Sequence, residues 1–167
     1  MKKDKPIGYD LDGYNVVKDA VLAMINQSPL LKKEGKVSFG MLEKNRGFAI
    51  MPTSSSVVES RKKDVTGKIT EICYYPFALV YRDTGMNEKR KSEVTELLDN
   101  MGKWLEKQEI TIDGVSQQLE EYPELTDNRM FLEVKRQTNS YLAKTYEDRA
   151  EDWEILITAR YKNEYRL

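Results

Sequence analysis

Between Lys68 and Glu106 the apolar residues change their spacing once, and that change constrains the fold more than any other feature of the chain. "KITEICYYPFALVYRD", Lys68 to Asp83, is dense in β-branched and aromatic residues and predicts a long strand. Pro76 interrupts it and predicts a bulge, a bend or an edge position, because proline has no N–H to give to a ladder. Beyond Asn87 the spacing turns helical. Val94, Leu97, Leu98, Met101, Trp104 and Leu105 form one stripe, which predicts a helix over Ser92–Lys107. The turn between strand and helix carries Lys89, Arg90 and Lys91.

The rest of the chain supplies fewer elements. Val17, Ala20, Val21, Met24 and Ile25 make a second helical stripe, predicting a helix over Val16–Asn26 with Asn15 as its cap and Pro29 beyond its end. "GFAIMP", Gly47 to Pro52, predicts a short apolar strand. "EITIDG" predicts a short extended piece ending in an Asp-Gly turn. "MFLEVKR" and "WEILITARYKNEY" alternate apolar and polar residues, as antiparallel strands with one wet face do. Two long polar segments remain. Thr53–Gly67, with Arg61, Lys62 and Lys63, reads as a projecting hairpin arm or as a solvated loop; "QTNSYLAKTYEDRAED" reads as a second polar arm. The expected fold is α+β, one domain over residues 1–167. It has a single antiparallel sheet of about four main strands, two principal helices packed on one face, and long polar arms. Trp104 and Trp153 share its core.

Several function classes lose their usual chemistry. The 167 residues contain no histidine, which removes the commonest general base, the commonest zinc ligand and every His-based triad. One cysteine, Cys73, excludes an internal disulfide and any multi-cysteine metal site. No apolar run approaches the roughly 20 residues that span a bilayer. The basic start "MKKDKPIGYDLDG" lacks the apolar core of a signal peptide, so a cytoplasmic place of synthesis is expected. Neither "DTG" at 83–85 nor "DVTG" at 64–67 matches a phosphate-binding loop. Glu120/Glu121 and Asp148/Glu151/Asp152 sit in polar segments where solvated acids are the default, and Ser54, Ser55 and Ser56 have no base nearby. No catalytic residue, cofactor or metal is therefore expected.

Charge is distributed unevenly. Net charge is -1, which gives no strong attraction to nucleic acid. Through Lys91 there are 17 Lys and Arg against 11 Asp and Glu; the remainder has 10 against 17. If the halves form separate faces, the molecule is a dipole able to dock on copies of itself; if strands interleave them, the dipole cancels. The cation groups Arg61-Lys62-Lys63 and Lys89-Arg90-Lys91 are flanked by acids and lack interleaved aromatics, so a solvated face or a protein contact is expected rather than single-stranded nucleic acid. Tyr141, Tyr146, Tyr161 and Tyr165 crowd the C-terminal part, where tyrosine suits either an interface or the end of a sheet.

Four segments together carry a family resemblance: the opening helix "NVVKDAVLAMINQ", the strand "GFAIMP" with the polar hairpin after it, the strand "EICYYPFALVYRD" leading through "TGMNEKRKSEVTELLDNMGKWLE", and the closing strand "WEILITARYKNEY". This order, from about Asn15 to Tyr165, resembles small phage tail terminator, or tail completion, proteins, often labelled minor capsid or minor tail proteins in Gram-positive phages and phage-tail-like particles. The resemblance implies a structural, non-enzymatic subunit of a homohexameric ring. Such a ring caps the head-proximal end of the tail tube and ends its elongation. Implied partners are the tail tube protein, the sheath protein in a sheathed tail, and a neck or head-completion protein, with neither specific nucleic acid nor membrane. The implied location is the virion, assembled in the bacterial host cytoplasm. Residues expected at the subunit contact are Arg61, Lys62, Lys63, Lys89, Arg90, Lys91, Tyr141 and Tyr146, with the acids Glu147, Asp148, Glu151 and Asp152. A head-tail connector or other neck protein shares these features, and a cytoplasmic enzyme or binding module is the alternative outside the class.

Overall fold

Two 17-residue strands, Lys68–Thr84 and Ala150–Arg166, lie antiparallel along their whole length and form the spine of the computed structural model. It describes residues 7–31 and 35–166; the basic opening "MKKDKP" lies outside the described residues. In chain order the elements are β1 (Gly8–Tyr9), α1 (Gly13–Asn26), a 3₁₀ turn (Pro29–Leu31), β2 (Ser38–Phe39), β3 (Gly47–Pro52), β4 (Val57–Lys63), β5 (Lys68–Thr84), α2 (Glu88–Leu105), β6 (Ile110–Ile112), β7 (Val115–Gln117), β8 (Arg129–Arg136), β9 (Tyr141–Thr145) and β10 (Ala150–Arg166).

The expected sheet of about four strands is corrected. The main sheet has eight strands, ordered β1-β4-β5-β10-β8, with β3 also on β5, β2 on β3 and β9 on β10; β6 and β7 form a separate two-stranded sheet. The chain is mostly β with two α-helices. Both supposed polar arms are strands. Thr53–Gly67 contains β4, paired with β5 from Val57↔Tyr74 to Lys63↔Ile69, and the second segment contains β9, paired with the start of β10.

Pro76 passes through the middle of β5 without breaking it. Its carbonyl accepts the Thr53 N–H at 3.3 Å, so the missing N–H of Pro76 points to the same side. On that side β4 ends its pairing at Tyr74 and β3 begins at Phe77, so Pro76 falls where no ladder bond is needed. Cross-strand partners share a face, and one face of the spine carries Tyr75, Phe77, Leu79, Ile155, Ile157, Ala159 and Tyr161, all buried. Both helices cover it in a single core. Val17, Val21, Met24 and Ile25 enter from α1, and Val94, Leu98, Met101, Trp104 and Leu105 from α2. Leu97 and Trp153 are only partly buried against this core.

The helix starts differ from expectation. α1 begins at Gly13, whose N–H donates to Asp10 Oδ1 at 3.0 Å. α2 begins at Glu88, because Asn87 Oδ1 accepts the Arg90 N–H at 2.8 Å and caps it. Lys89, Arg90 and Lys91 are therefore its first turn rather than a loop. The Asp-Gly turn expected after β6 forms, with φ of 50° at Asp113 and 77° at Gly114, the two positive values a type I′ hairpin needs.

Candidate assembly interface

β5 separates the two cation groups. Arg61, Lys62 and Lys63 pair with Glu71, Thr70 and Ile69 at its start, whereas Lys89–Lys91 follow its end. A strand of this length spans about 50 Å at the usual rise per residue. The expected acidic partners cluster at the second end: Glu147 and Asp148 lie in the turn between β9 and β10, and Glu151 and Asp152 open β10.

At that end much of the charge is already used within one chain. Lys91 Nζ is 3.5 Å from Glu151 Oε1. Arg90 donates to the Tyr81 hydroxyl and to Glu93 Oε2 at 3.2 Å. Asp152 is buried at 8% exposure and accepts Arg82 Nε at 2.6 Å and Nη2 at 2.9 Å, with the Tyr146 hydroxyl at 2.7 Å. Arg82 Nη2 also donates to Tyr146 Oη at 2.8 Å and its guanidinium covers the Tyr146 ring. Burial would raise the Asp152 carboxyl, but hydrogen bonds from Arg82 and Tyr146 outweigh it and hold the group below the usual aspartate range. Asp152 and Tyr146 are thus internal fasteners between β5, β9 and β10. Tyr141 donates to Glu154, whose carboxylate pushes the phenol up to about 12.

The first end differs. Arg61 Nη2 reaches Glu71 Oε2 at 3.5 Å, but Lys62 and Lys63 are exposed and have no ion pair among the described residues. Lys89, Glu147 and Asp148 are likewise exposed and outside any ion pair there. Of the twelve residues expected at the contact, these five, with the half-engaged Arg61 and the exposed Tyr141, remain presented to solvent.

Charge is unequal between the two halves of the chain but not between the two sides of the sheet. β1 to β5 occupy one side of the β5–β10 seam, and β8 to β10 the other. Among the described residues the chain through Lys91 has 12 cations and 9 acids, and the remainder 10 and 17. The main-sheet strands from these two halves are not interleaved, but they carry equal charge: β1 to β5 have 5 cations and 3 acids, β8 to β10 have 7 and 5, and the remaining acids of the second half lie in α2, in residues 106–127 and in the turn at Glu147 and Asp148.

Sequence patterns missed the other polar cluster. Asp10 accepts Arg129 Nε at 2.9 Å and Nη2 at 2.7 Å, the Tyr161 hydroxyl at 2.6 Å and the Gly13 N–H. Burial works against ionisation of Asp10, yet the Arg129 and Tyr161 bonds keep its carboxyl below the usual range, while burial pushes the Tyr161 phenol far up. Only Asp10 three residues before Gly13 hinted at this, as a helix-start oxygen; Arg129 lies 119 residues away. A groove of about 670 Å³, lined by Tyr9, Asp10, Asp12, Glu71, Arg129 and Tyr165, opens beside it. Because Arg129, Tyr161 and Gly13 already occupy the Asp10 carboxylate, it is a structural tie and not a free base. Cys73 is buried, and burial pushes its thiol up to about 12, far from a reactive thiolate.

Among the described residues no group of three or more His, Cys, Asp or Glu is placed to hold a metal, and no helix is long and apolar enough to cross a membrane. Compared with known proteins, the chain matches no family model and no curated protein.

Proposed function

We propose that this chain is a structural subunit of a phage tail or phage-tail-like particle, six copies of which form a terminator ring on the head-proximal end of the tail tube. The observation that carries the proposal is the placing of exposed charges outside any ion pair among the described residues, Lys62 and Lys63 at one end of the β5–β10 spine and Glu147 and Asp148 at the other. Exposed charges of opposite sign at the two ends favour a contact between unlike faces, and a contact of that kind closes into a ring when its rotation allows. The β5–β10 spine, backed on one face by α1 and α2, supplies a stiff wall, and Lys62, Lys63, Glu147 and Asp148 at its two ends are available to neighbours.

In this role the subunit contacts its own copies, the tube protein below, the sheath protein where the tail is contractile, and a neck or head-completion protein above. The test is removal of its coding region from the producing strain, with tail lengths measured by electron microscopy. Overlong, uncapped tubes are expected. Tails of normal length and normal neck attachment overturn the proposal.

A further inference from the structure

We infer that the groove beside Asp10 is a binding site for an organic cation, the guanidinium of an arginine side chain presented by a partner protein. The inference is independent of the ring-subunit proposal and goes beyond it.

The floor of the groove is one cross-strand row. Arg61, Glu71, Asn163 and Arg129 are successive partners across β4, β5, β10 and β8, so their side chains share a face of the sheet. Two polar groups in this row are buried and under-used. Asn163 is 8% exposed and lines the groove, yet its side-chain amide has no hydrogen bond among the described residues. Glu71 is 5% exposed. Its carboxylate meets Arg61 Nη2 at 3.5 Å, a long contact, and otherwise the Tyr165 phenol, which it pushes up. A carboxylate has about four acceptor positions, so Glu71 keeps some unfilled. Buried polar groups are nearly always hydrogen-bonded, and two neighbours that fall short on one groove floor point to a ligand.

Charge selects the ligand. Asp10 and Arg129 neutralise each other across their ion pair. That leaves Asp12, Glu71 and Asp127 in the lining against Arg61, an acidic balance that favours a cation and repels an anion. A bare metal ion is not suited, because no three acids are placed to hold one among the described residues. A guanidinium is suited. Its flat fork of N–H donors can meet a carboxylate and an amide oxygen together, and it stacks on aromatic rings such as the lining Tyr9 and Tyr165. The rim points to a protein as the bearer. Tyr9 is 55% exposed and Leu11 75%, which gives apolar area to the chain on either side of the arginine.

The competing role for this row is that Arg61 fills the site by itself, and the experiment separates the two. NMR titrations follow the Asn163 side-chain amide of the full chain. The probes are a capped Gly-Arg-Gly tripeptide, its citrulline counterpart, which keeps the shape and loses the charge, and methylguanidinium. The arginine tripeptide is expected to bind saturably and to move the Asn163 amide. It is expected to bind at least about tenfold more tightly than either other probe, and to lose about tenfold in Glu71→Gln. Circular dichroism and urea melts verify that the variants fold, and the titration of the unaltered protein decides alone where one does not. An Asn163 amide that no probe moves, citrulline peptide bound as tightly as arginine peptide, or undiminished binding by folded Glu71→Gln overturns the site. Binding that appears only in Arg61→Gln makes Arg61 the occupant and overturns it too. Methylguanidinium bound as tightly as the tripeptide overturns the protein partner. None of these outcomes touches the ring proposal.

Discussion

Asp10 and Arg129 take opposite charges out of water, and the fold depends on keeping both. With Asp10 neutral and weaker as an acceptor, Arg129 keeps a buried, uncompensated charge. Asp10→Asn is therefore expected to cost about 3–5 kcal/mol in urea melts. The same variant tests the pH dependence. Asp10 and Asp152 are both held below the usual aspartate range when folded, so their stabilisation is present above about pH 4 and is lost as pH falls through their lower folded values. Asp10→Asn should lose less stability than wild type between about pH 5 and about pH 2. Gly102 poses a contest between two effects. Alanine favours a helix over glycine by about 0.5–1 kcal/mol. However, a Cβ at Gly102 would stand 2.4 Å from Arg136 Cδ, in mid side chain, and 3.3 Å from Ile155 Cδ1. Overpacking costs about 1–3 kcal/mol, so Gly102→Ala is expected to destabilise on balance in the same melts.

At the scale of elements, α2 shows what was legible and what was not. Its apolar stripe is clear from Val94 to Leu105, and Val94, Leu98, Met101, Trp104 and Leu105 are buried as a stripe requires. Its start was not, because the first turn is all charge and the signal is one capping residue, Asn87. Asn87→Ala is expected to cost about 1 kcal/mol, read as a lowered urea midpoint. The long strands were legible because they are half buried over many residues. β4 and β9 were not: β9 is exposed throughout and most of β4 is polar, so neither offers a period of two. β1 and β2, two residues each, are held by partners distant in sequence and leave no pattern of their own. Together these four strands account for the difference between about four strands and eight. Pro76 was legible as a constraint, but its resolution depends on where β3 and β4 end, which is a tertiary fact. Tyr75→Pro should instead remove both a ladder bond to β10 and a fully buried ring and lower the urea midpoint sharply, against little change for Pro76→Ala.

At the scale of the whole molecule, the expected contact residues divide into those the fold consumes and those it leaves. Tyr146, Asp152, Lys91 and Glu151 are held inside one chain, and spacing alone could not reveal this because their partnerships cross between elements. Lys62, Lys63, Glu147 and Asp148 stay outward at opposite ends of the spine. Exposed pairs contribute about 0–1 kcal/mol each, so in the proposed ring charge steers the approach while apolar and tyrosine contacts hold the joint. Reversing Lys62 and Lys63 to Glu is expected to weaken assembly by less than about tenfold, more at low salt than at high salt. The central claim, a ring that ends the tail tube, is tested most directly by cryo-electron microscopy of purified tails, with the chain located by fitting its two 17-residue strands. Six copies in one closed ring at the head-proximal end of the tube are the expected result. Density for the chain elsewhere in the particle, or none at all on intact tails, would contradict it.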